Sequence, residues 1–244
     1  MAEQQHGIRR LAELAWPDVG AGARVLTVPL GATEQHGPHL PLSTDTTIAV
    51  ELANRLALRQ DDVVVAPALP YGSSGEHAGF PGTLSIGQEA LELVVTELVR
   101  SADAFAGVVL ISGHGGNAGP LKRAAHTLDK EGRSVLVWGP SQAAITKAVG
   151  QRADAHAGYV ETSMLLALQA KGVAPDRAEA GNTAPLPELI TRLTSEGVRA
   201  VSPNGVLGDP AGANAGAGAE LLDAFTDDLV RAVDAWRPKR ESKS

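Results

Sequence analysis

Glu34 and His36 stand two residues apart in the segment GATEQHGPHLPLSTD, Gly31 to Asp45. In an extended chain that spacing turns both side chains to one side. A carboxylate and an imidazole converging at a strand end suit a zinc, manganese or iron ion; the bland alternative is a polar loop that happens to contain histidine. His39, close by, is a candidate to support a ligand from behind. Asp45 falls where a helix should begin, so its carboxylate either caps exposed helix N–H groups or joins the ion.

A second segment, ISGHGGNAG from Ile111 to Gly119, contains His114. Gly113, Gly115 and Ala118 also match G-x-G-x-x-A, but a dinucleotide site needs an acid near the end of the next strand. That strand ends Val137-Trp138-Gly139-Pro140. A phosphate loop would need Gly-Lys-Ser/Thr, which is missing. The glycines read better as a tight turn that points His114 into the crevice of Glu34 and His36. The third segment, DAHAGYVETS, sets His156 and Glu161 five apart across a helix start. Glu161 is either an acid favoured by the helix dipole or the carboxylate a two-metal centre still lacks. Two cations about 3.5–4 Å apart are a recurring hydrolytic design. The fourth segment, Tyr71 to Gly87, is long and glycine-rich, and such loops often carry binding residues. Ser73, Ser74, Glu76 and His77, with Gly115 beside His114, are candidates to line a substrate pocket, although His77 reads equally as a surface residue. His6 and His126 lack this context, and His126, inside a helix, reads as structural.

These segments need a scaffold. Short apolar, β-branched runs at Arg24–Leu30, Val63–Ala66, Val108–Ser112 and Ser134–Trp138 read as buried strands. Helical patterns lie at Asp45–Arg59, Gln88–Ala104, Asn117–Lys130, Tyr159–Lys171 and Ala219–Trp236. Strand–helix alternation implies an α/β fold, a mostly parallel central sheet flanked by helices on both faces. Ligands of such sheets bind outside the carboxyl ends of the strands, where the histidine segments fall. With no linker or repeat, residues 1–236 read as one domain and 237–244 as a disordered tail. Pro203–Gly218, rich in Gly, Ala, Asn and Pro, reads as an ordered loop.

Composition excludes several classes. The chain has 244 residues and no cysteine, so disulfides, iron–sulfur clusters and thiol nucleophiles are out. A net charge of −7, no basic stripe and 3% aromatics argue against nucleic acid. No apolar run reaches the roughly 20 residues of a membrane helix, and the amino terminus has no apolar signal region. The expected location is cytoplasmic.

Together the four segments resemble the creatininase family of binuclear metal amidohydrolases, in the family's order and across nearly the whole chain. YGSSGEHAGFPGT, DAHAGYVETS, GNTAPLPELI and VSPNGVLGDP are most similar to its mycofactocin-system peptidase branch. The resemblance implies a three-layer creatininase-like sandwich and two divalent metal ions per subunit, zinc, iron or manganese. Glu34 and His36 would each hold one metal, Asp45 would bridge them, and His114 would complete the first set. Creatininase itself has a tyrosine and a metal-binding glutamate after that histidine; here Gly115 and Gly116 follow, so Glu161 would supply the carboxylate. His156 matches a histidine acting on the substrate or leaving group. The implied substrate is a ribosomally made, modified precursor peptide that loses its C-terminal Val-Tyr dipeptide, and the implied assembly is a homo-oligomer resembling a hexameric ring.

The implied chemistry is amide hydrolysis. Water between two cations loses a proton near neutral pH and attacks the scissile carbonyl, while His156, with an ordinary pKa of about 6.5, serves the departing amine. Within the family, creatinine amidohydrolysis and deformylation of a pyrimidine are alternatives. Outside it stand a single-iron oxygenase using two histidines and a carboxylate and a non-catalytic metabolite-binding module.

Overall fold

The structure, a computed structural model, describes residues 7–20, 24–150 and 154–237. In chain order the elements are β1 (Arg9–Arg10), α1 (Trp16–Val19), β2 (Val25–Leu30), α2 (Thr44–Arg59), β3 (Val63–Val65), α3 (Gln88–Arg100), β4 (Gly107–Ser112), α4 (Ala118–Lys130), β5 (Val135–Trp138), α5 (Gln142–Val149), α6 (Tyr159–Ala167), α7 (Leu186–Glu196), α8 (Val198–Val201) and α9 (Ala215–Trp236). The strands form one parallel sheet in the order β1-β3-β2-β4-β5.

The sheet is covered on both faces, which is why β2 and β4 are buried along their whole length and mostly apolar, with Thr27 and Ser112 the polar exceptions. Alternation instead sorts apolar side chains between two cores. Leu26, Val28, Leu30, Val108 and Leu110 meet α3 and α4 on one face. Val25, Val109 and Ile111 meet α2, α6 and α9 on the other. Two helical layers thus enclose the sheet, the expected three-layer sandwich. A third, smaller cluster joins Leu189 and Leu193 of α7 to Val198, Val201 and Leu207.

Pro29 lies in the central strand, where a proline normally removes a ladder bond. Its carbonyl faces the β3 side and accepts Leu69 N–H at 2.9 Å, beyond the last β3 residue, so the missing N–H interrupts no pairing. From β2 the chain builds β3 on one side, then crosses to place β4 on the other. The order therefore reverses between β2 and β4, and the crevice above their carboxyl ends is the natural ligand position.

Several helix ends differ from expectation. α3 stops at Arg100 because the following Ser-Ala-Asp run turns away. α6 ends at Ala167, where Gln169 adopts a left-handed φ of 49° and Ala170 N–H returns to Leu165 O. α9 starts at Ala215, capped by Asn214, whose side chain accepts Ala217 N–H at 3.0 Å. β1, α1, α5, α7 and α8 lay outside the expected elements. Arg237, first residue of the expected tail, donates to Asp62 and Gln60; residues 238–244 and His6 lie outside the described residues. No helix among the described residues is long and apolar enough to cross a membrane.

Candidate metal centre

The segment after β2 and the segment after β4 converge as their spacing requires. Glu34 and His36 are fully buried, and Asp45 and His114 nearly so. Close approach, rather than a left-handed turn, explains Gly113: a Cβ there would collide with the backbone of Asp45. Gly116 has the same role, because a Cβ would strike the His114 ring and the Ser73 carbonyl. Asp45 is inside the first turn of α2 but caps nothing. Its Oδ1 lies 3.1 Å from His36 Nε2, and its Oδ2 lies 3.6 Å from His114 Nδ1.

Two sets of donors result. Glu34, Asp45 and His114 can direct one atom each to a common point, and so can His36, Asp45 and Glu161. Asp45 belongs to both. A third grouping, Glu34, His36 and His156, shares the same space. Both carboxylate oxygens of Glu34 and Oδ2 of Asp45 are buried with no well-formed hydrogen bond, although His114 Nδ1 and His77 Nε2 stand 3.2 and 3.4 Å from Glu34 Oε1. Buried carboxylate oxygens are costly unless a cation or donor meets them, so these orphaned atoms and mixed nitrogen–oxygen sets fit divalent ions. Glu161 holds its orientation by accepting Ala157 N–H at 2.6 Å.

The charges are balanced tightly. Burial opposes the charge of Glu34, but His114, His77 and His36 together hold its carboxyl well below the usual range. Burial likewise opposes charge on His36 and His114, yet the carboxylates, Asp45 foremost for His36 and Glu34 for His114, push each up to about 10. Burial raises Asp45 and moves Glu161 up to about 7. His77 falls to about 4 and His156 well below its ordinary value, mainly through burial.

Gln35, between two of the ligand candidates, was not singled out by the sequence reading. Its Oε1 accepts Gly37 N–H at 2.8 Å, which identifies the nitrogen end of the amide. Nε2 lies 3.0 Å from Gly205 O, 2.9 Å from His77 Nδ1 and 3.0 Å from His156 Nε2, with two protons to give. Gly205 O, purely an acceptor, takes one. His156 Nε2 is 2.8 Å from the Gln35 main-chain carbonyl and so donates there, leaving the second amide proton for His77 Nδ1. This assignment turns His77 Nε2–H towards Glu34 Oε1 at 3.4 Å. It presents His156 Nδ1, unprotonated, 3.8 Å from the same oxygen. Two facing lone pairs at that distance again fit an intervening cation or proton.

His156 is braced from two directions. Its main chain exchanges N–H···O bonds with Leu207, at 3.2 and 2.9 Å. Asp154, whose carboxyl burial raises to about 7, accepts Tyr159 N–H at the start of α6. Between them Ala157 is held at φ 53°, a left-handed conformation rare for a residue with a Cβ. Pro203–Gly218 is an ordered loop, as expected; Leu207 in it makes the bridge to His156 and also lines the larger cavity. His39 bonds Thr162 Oγ1 at 2.9 Å, behind Glu161. His126 is exposed on α4 rather than packed.

Two cavities meet at His114, Gly115, Ala155, His156 and Leu186. The larger, about 760 Å³, has Ser73, Glu76 and His77 in one wall and α7 in another. The smaller, about 400 Å³, runs from Asp45 and Glu161 to Trp138, Ile145 and Phe225. His77 is buried against Glu34 and lines the larger cavity, rather than lying exposed at the surface. Ser74 is buried without lining either cavity, unlike Ser73, so the expectation that it lines the pocket is corrected. Ser73 orients His114, whose Nε2 lies 2.9 Å from the Ser73 carbonyl.

A family model described as creatinine amidohydrolase, or creatininase, matches residues 12–233. The mycofactocin precursor peptide peptidase of Mycobacterium tuberculosis is 46% identical over 224 residues, covering 88% of this chain and 86% of that protein. A manganese creatininase superposes with a TM-score of 0.77 at 26% identity, over 95% of this chain and 100% of that one. A mutant creatininase of the Zn-Zn type gives 0.76 at 25% identity, over 94% and 98%.

Proposed function

The chain belongs to the creatininase family, and on that premise we propose that it is a metal-dependent peptidase. Its substrate is the mycofactocin precursor peptide, from which it releases the modified C-terminal Val-Tyr dipeptide by amide hydrolysis. The observation that carries the reading is the pair of buried donor sets sharing Asp45, in which Glu34 Oε2 and Asp45 Oδ2 have no hydrogen-bond partner.

Glu34, Asp45 and His114 would hold one divalent cation, and His36, Asp45 and Glu161 the other. Zinc, iron and manganese all accept such a donor set. The bound pair supplies activation of water and polarisation of the scissile carbonyl. His156, kept neutral by burial and by its positive neighbours, takes a proton at Nδ1 and hands it to the departing amine. Gln35 keeps that nitrogen free by drawing the ring's other proton to its own main-chain carbonyl. The absence of cysteine removes a thiol nucleophile from the alternatives.

The test is mass spectrometry of the chain loaded in turn with zinc, iron and manganese and given the modified precursor peptide, with creatinine in a parallel sample. Loss of the terminal dipeptide, abolished by Glu161→Gln, is the expected result. An intact peptide with all three metals would remove the peptidase assignment, and creatinine turnover would replace it with the amidohydrolase one.

A further inference from the structure

We propose that Gly115, where the two cavities join, and Gly75, in the larger one, determine specificity by holding open a lane for the substrate's main chain past the candidate ligand His114. The inference rests on the peptidase reading and adds where the two sides of the cut chain lie.

Six glycines line the larger cavity: Gly75, Gly79, Gly87, Gly115, Gly116 and Gly197. Four are explained by the fold itself. Gly87 and Gly197 hold φ of 79° and 80°, where a residue with a Cβ is strained. A Cβ at Gly116 would strike the His114 ring and the Ser73 carbonyl, and one at Gly79 would crowd the Arg199 stem. Gly75 and Gly115 have neither reason. Their φ lies outside the left-handed region, and a Cβ at either would meet no atom within 4 Å. Both are exposed. A glycine that neither φ nor packing requires only adds freedom to the unfolded chain. The remaining use of a bare Cα is the close approach of another backbone.

Both glycines stand beside the metal-site histidine. Gly115 follows His114, whose Nδ1 lies 3.2 Å from Glu34 Oε1 and 3.6 Å from Asp45 Oδ2. His114 Nε2 donates to the Ser73 carbonyl at 2.9 Å. Gly75 is two residues beyond Ser73, a span of at most about 7 Å. Asp45, whose Oδ2 is buried without a hydrogen bond, is in the wall of the smaller cavity at this junction. An amide held there has chain on both sides. The smaller cavity ends on Ile48, Leu121, Met164 and Phe225, each at most 2% exposed. It closes on the core and takes a short fragment, the released end. The larger cavity has an exposed rim at Gly75, Gly87 and Ile190, where a long upstream chain can leave. The ligand class is therefore an extended peptide whose main chain, upstream of the cut, lies against Gly115 and Gly75.

The test gives the metal-loaded chain two peptides: the modified precursor, and a truncated form that keeps the modified Val-Tyr end and one acetylated residue before the scissile amide. Cleavage is measured with wild type, Gly115→Leu and Gly75→Leu, and binding by calorimetry on Glu161→Gln protein with and without each leucine. Each leucine should cost the precursor roughly tenfold more in kcat/KM than it costs the truncated peptide, chiefly through KM. Gly115→Ala should melt no lower than wild type. If Gly115→Leu loses its metal, Gly75→Leu decides, since Gly75 adjoins no donor of either set. Equal losses on the two peptides, or a lower melting temperature for Gly115→Ala, would overturn the lane and leave the peptidase reading intact. No cleavage by wild type, with the leucines weakening binding of the precursor more than of the truncated peptide, would keep the lane and remove the peptidase reading. Failure of Glu161→Gln protein to bind either peptide would overturn the lane.

Discussion

The two halves of the candidate metal centre are positioned by different means. Glu34, His36, Asp45 and His114 rise from the ends of β2 and β4 and the start of α2, where strand pairing and the two large cores fix the backbone. His156 and Glu161 follow no strand. They are set by a left-handed Ala157, by Asp154 accepting a bond from the start of α6, and by a two-way bridge to Leu207, 51 residues away in sequence. The first half is a cradle grown out of the sheet; the second is a brace assembled from distant loops. Gln35 joins them, reaching from the cradle to His156 and to Gly205. A parallel sheet can therefore present half of a site from its strand ends, while ligands from beyond the sheet need dedicated backbone supports.

The largest expected effect lies where the halves share an atom donor. Asp45→Asn removes the carboxylate common to both sets. Its loss should exceed the roughly 100-fold that removal of a ligand's outer partner costs, with metal content read by mass spectrometry falling at both sites. Loss of only one ion per chain would show that Asp45 serves the cradle alone.

Next comes the joint. Gln35→Leu leaves His77 Nδ1 and Gly205 O unpaired, which should cost about 1–3 kcal/mol of stability and about 10–100-fold in kcat. Nitrogen NMR of the imidazoles should show the fixed tautomers of His77 and His156 becoming mixtures. Unchanged tautomers would mean that the two halves stand independently.

Acidity should sharpen the contrast further. A divalent ion needs neutral imidazoles, and His36 and His114 hold protons up to about pH 10. Binding in the cradle should release about two protons near neutrality, measurable by calorimetry in buffers of different ionisation enthalpy. With cations chelated away, these raised histidines stabilise the fold fully below their unfolded value near 6.5 and lose that contribution as pH climbs through about 10. The gain in melting temperature on adding metal should thus be larger at pH 9 than at pH 6.

The smallest effect is in the brace. Ala49→Gly, inside α2, should cost about 1 kcal/mol. Ala157→Gly should stay within about 0.5 kcal/mol of zero, because relief of the left-handed backbone offsets the greater freedom of the unfolded chain. Thermal melts of the two variants distinguish the cases; equal losses would show that Ala157 carries no strain.

Legibility in the sequence followed the same division. β2, β4, α2 and α4 were visible because long apolar runs and helical spacing are local signals, and the histidine segments at the strand ends pointed to Glu34, His36 and His114. Asp45 stayed ambiguous, since a helix-start aspartate serves equally as cap or ligand; only burial beside His36 separates the two. Gln35 was overlooked because its role depends on three partners far apart in sequence. α7 was hidden in a proline-bearing stretch, although Pro185-Leu186-Pro187 is itself a helix-start signal. The structural part of VSPNGVLGDP, the bridge from Leu207 to His156, could not be read from the sequence either, since a brace has no local pattern, only a distant partner.

The third apolar cluster lies apart from both sheet cores, and its helices α7 and α8 carry Leu186, Ile190 and Arg199 into the larger cavity. Part of the cavity wall is thus carried by a cluster separate from the strand ends that bring Glu34, His36 and His114 together. Substitutions on α7 and α8 can therefore reshape this wall while the loops of the candidate metal centre keep their sequence, which makes this corner the place to begin when redesigning the cavity.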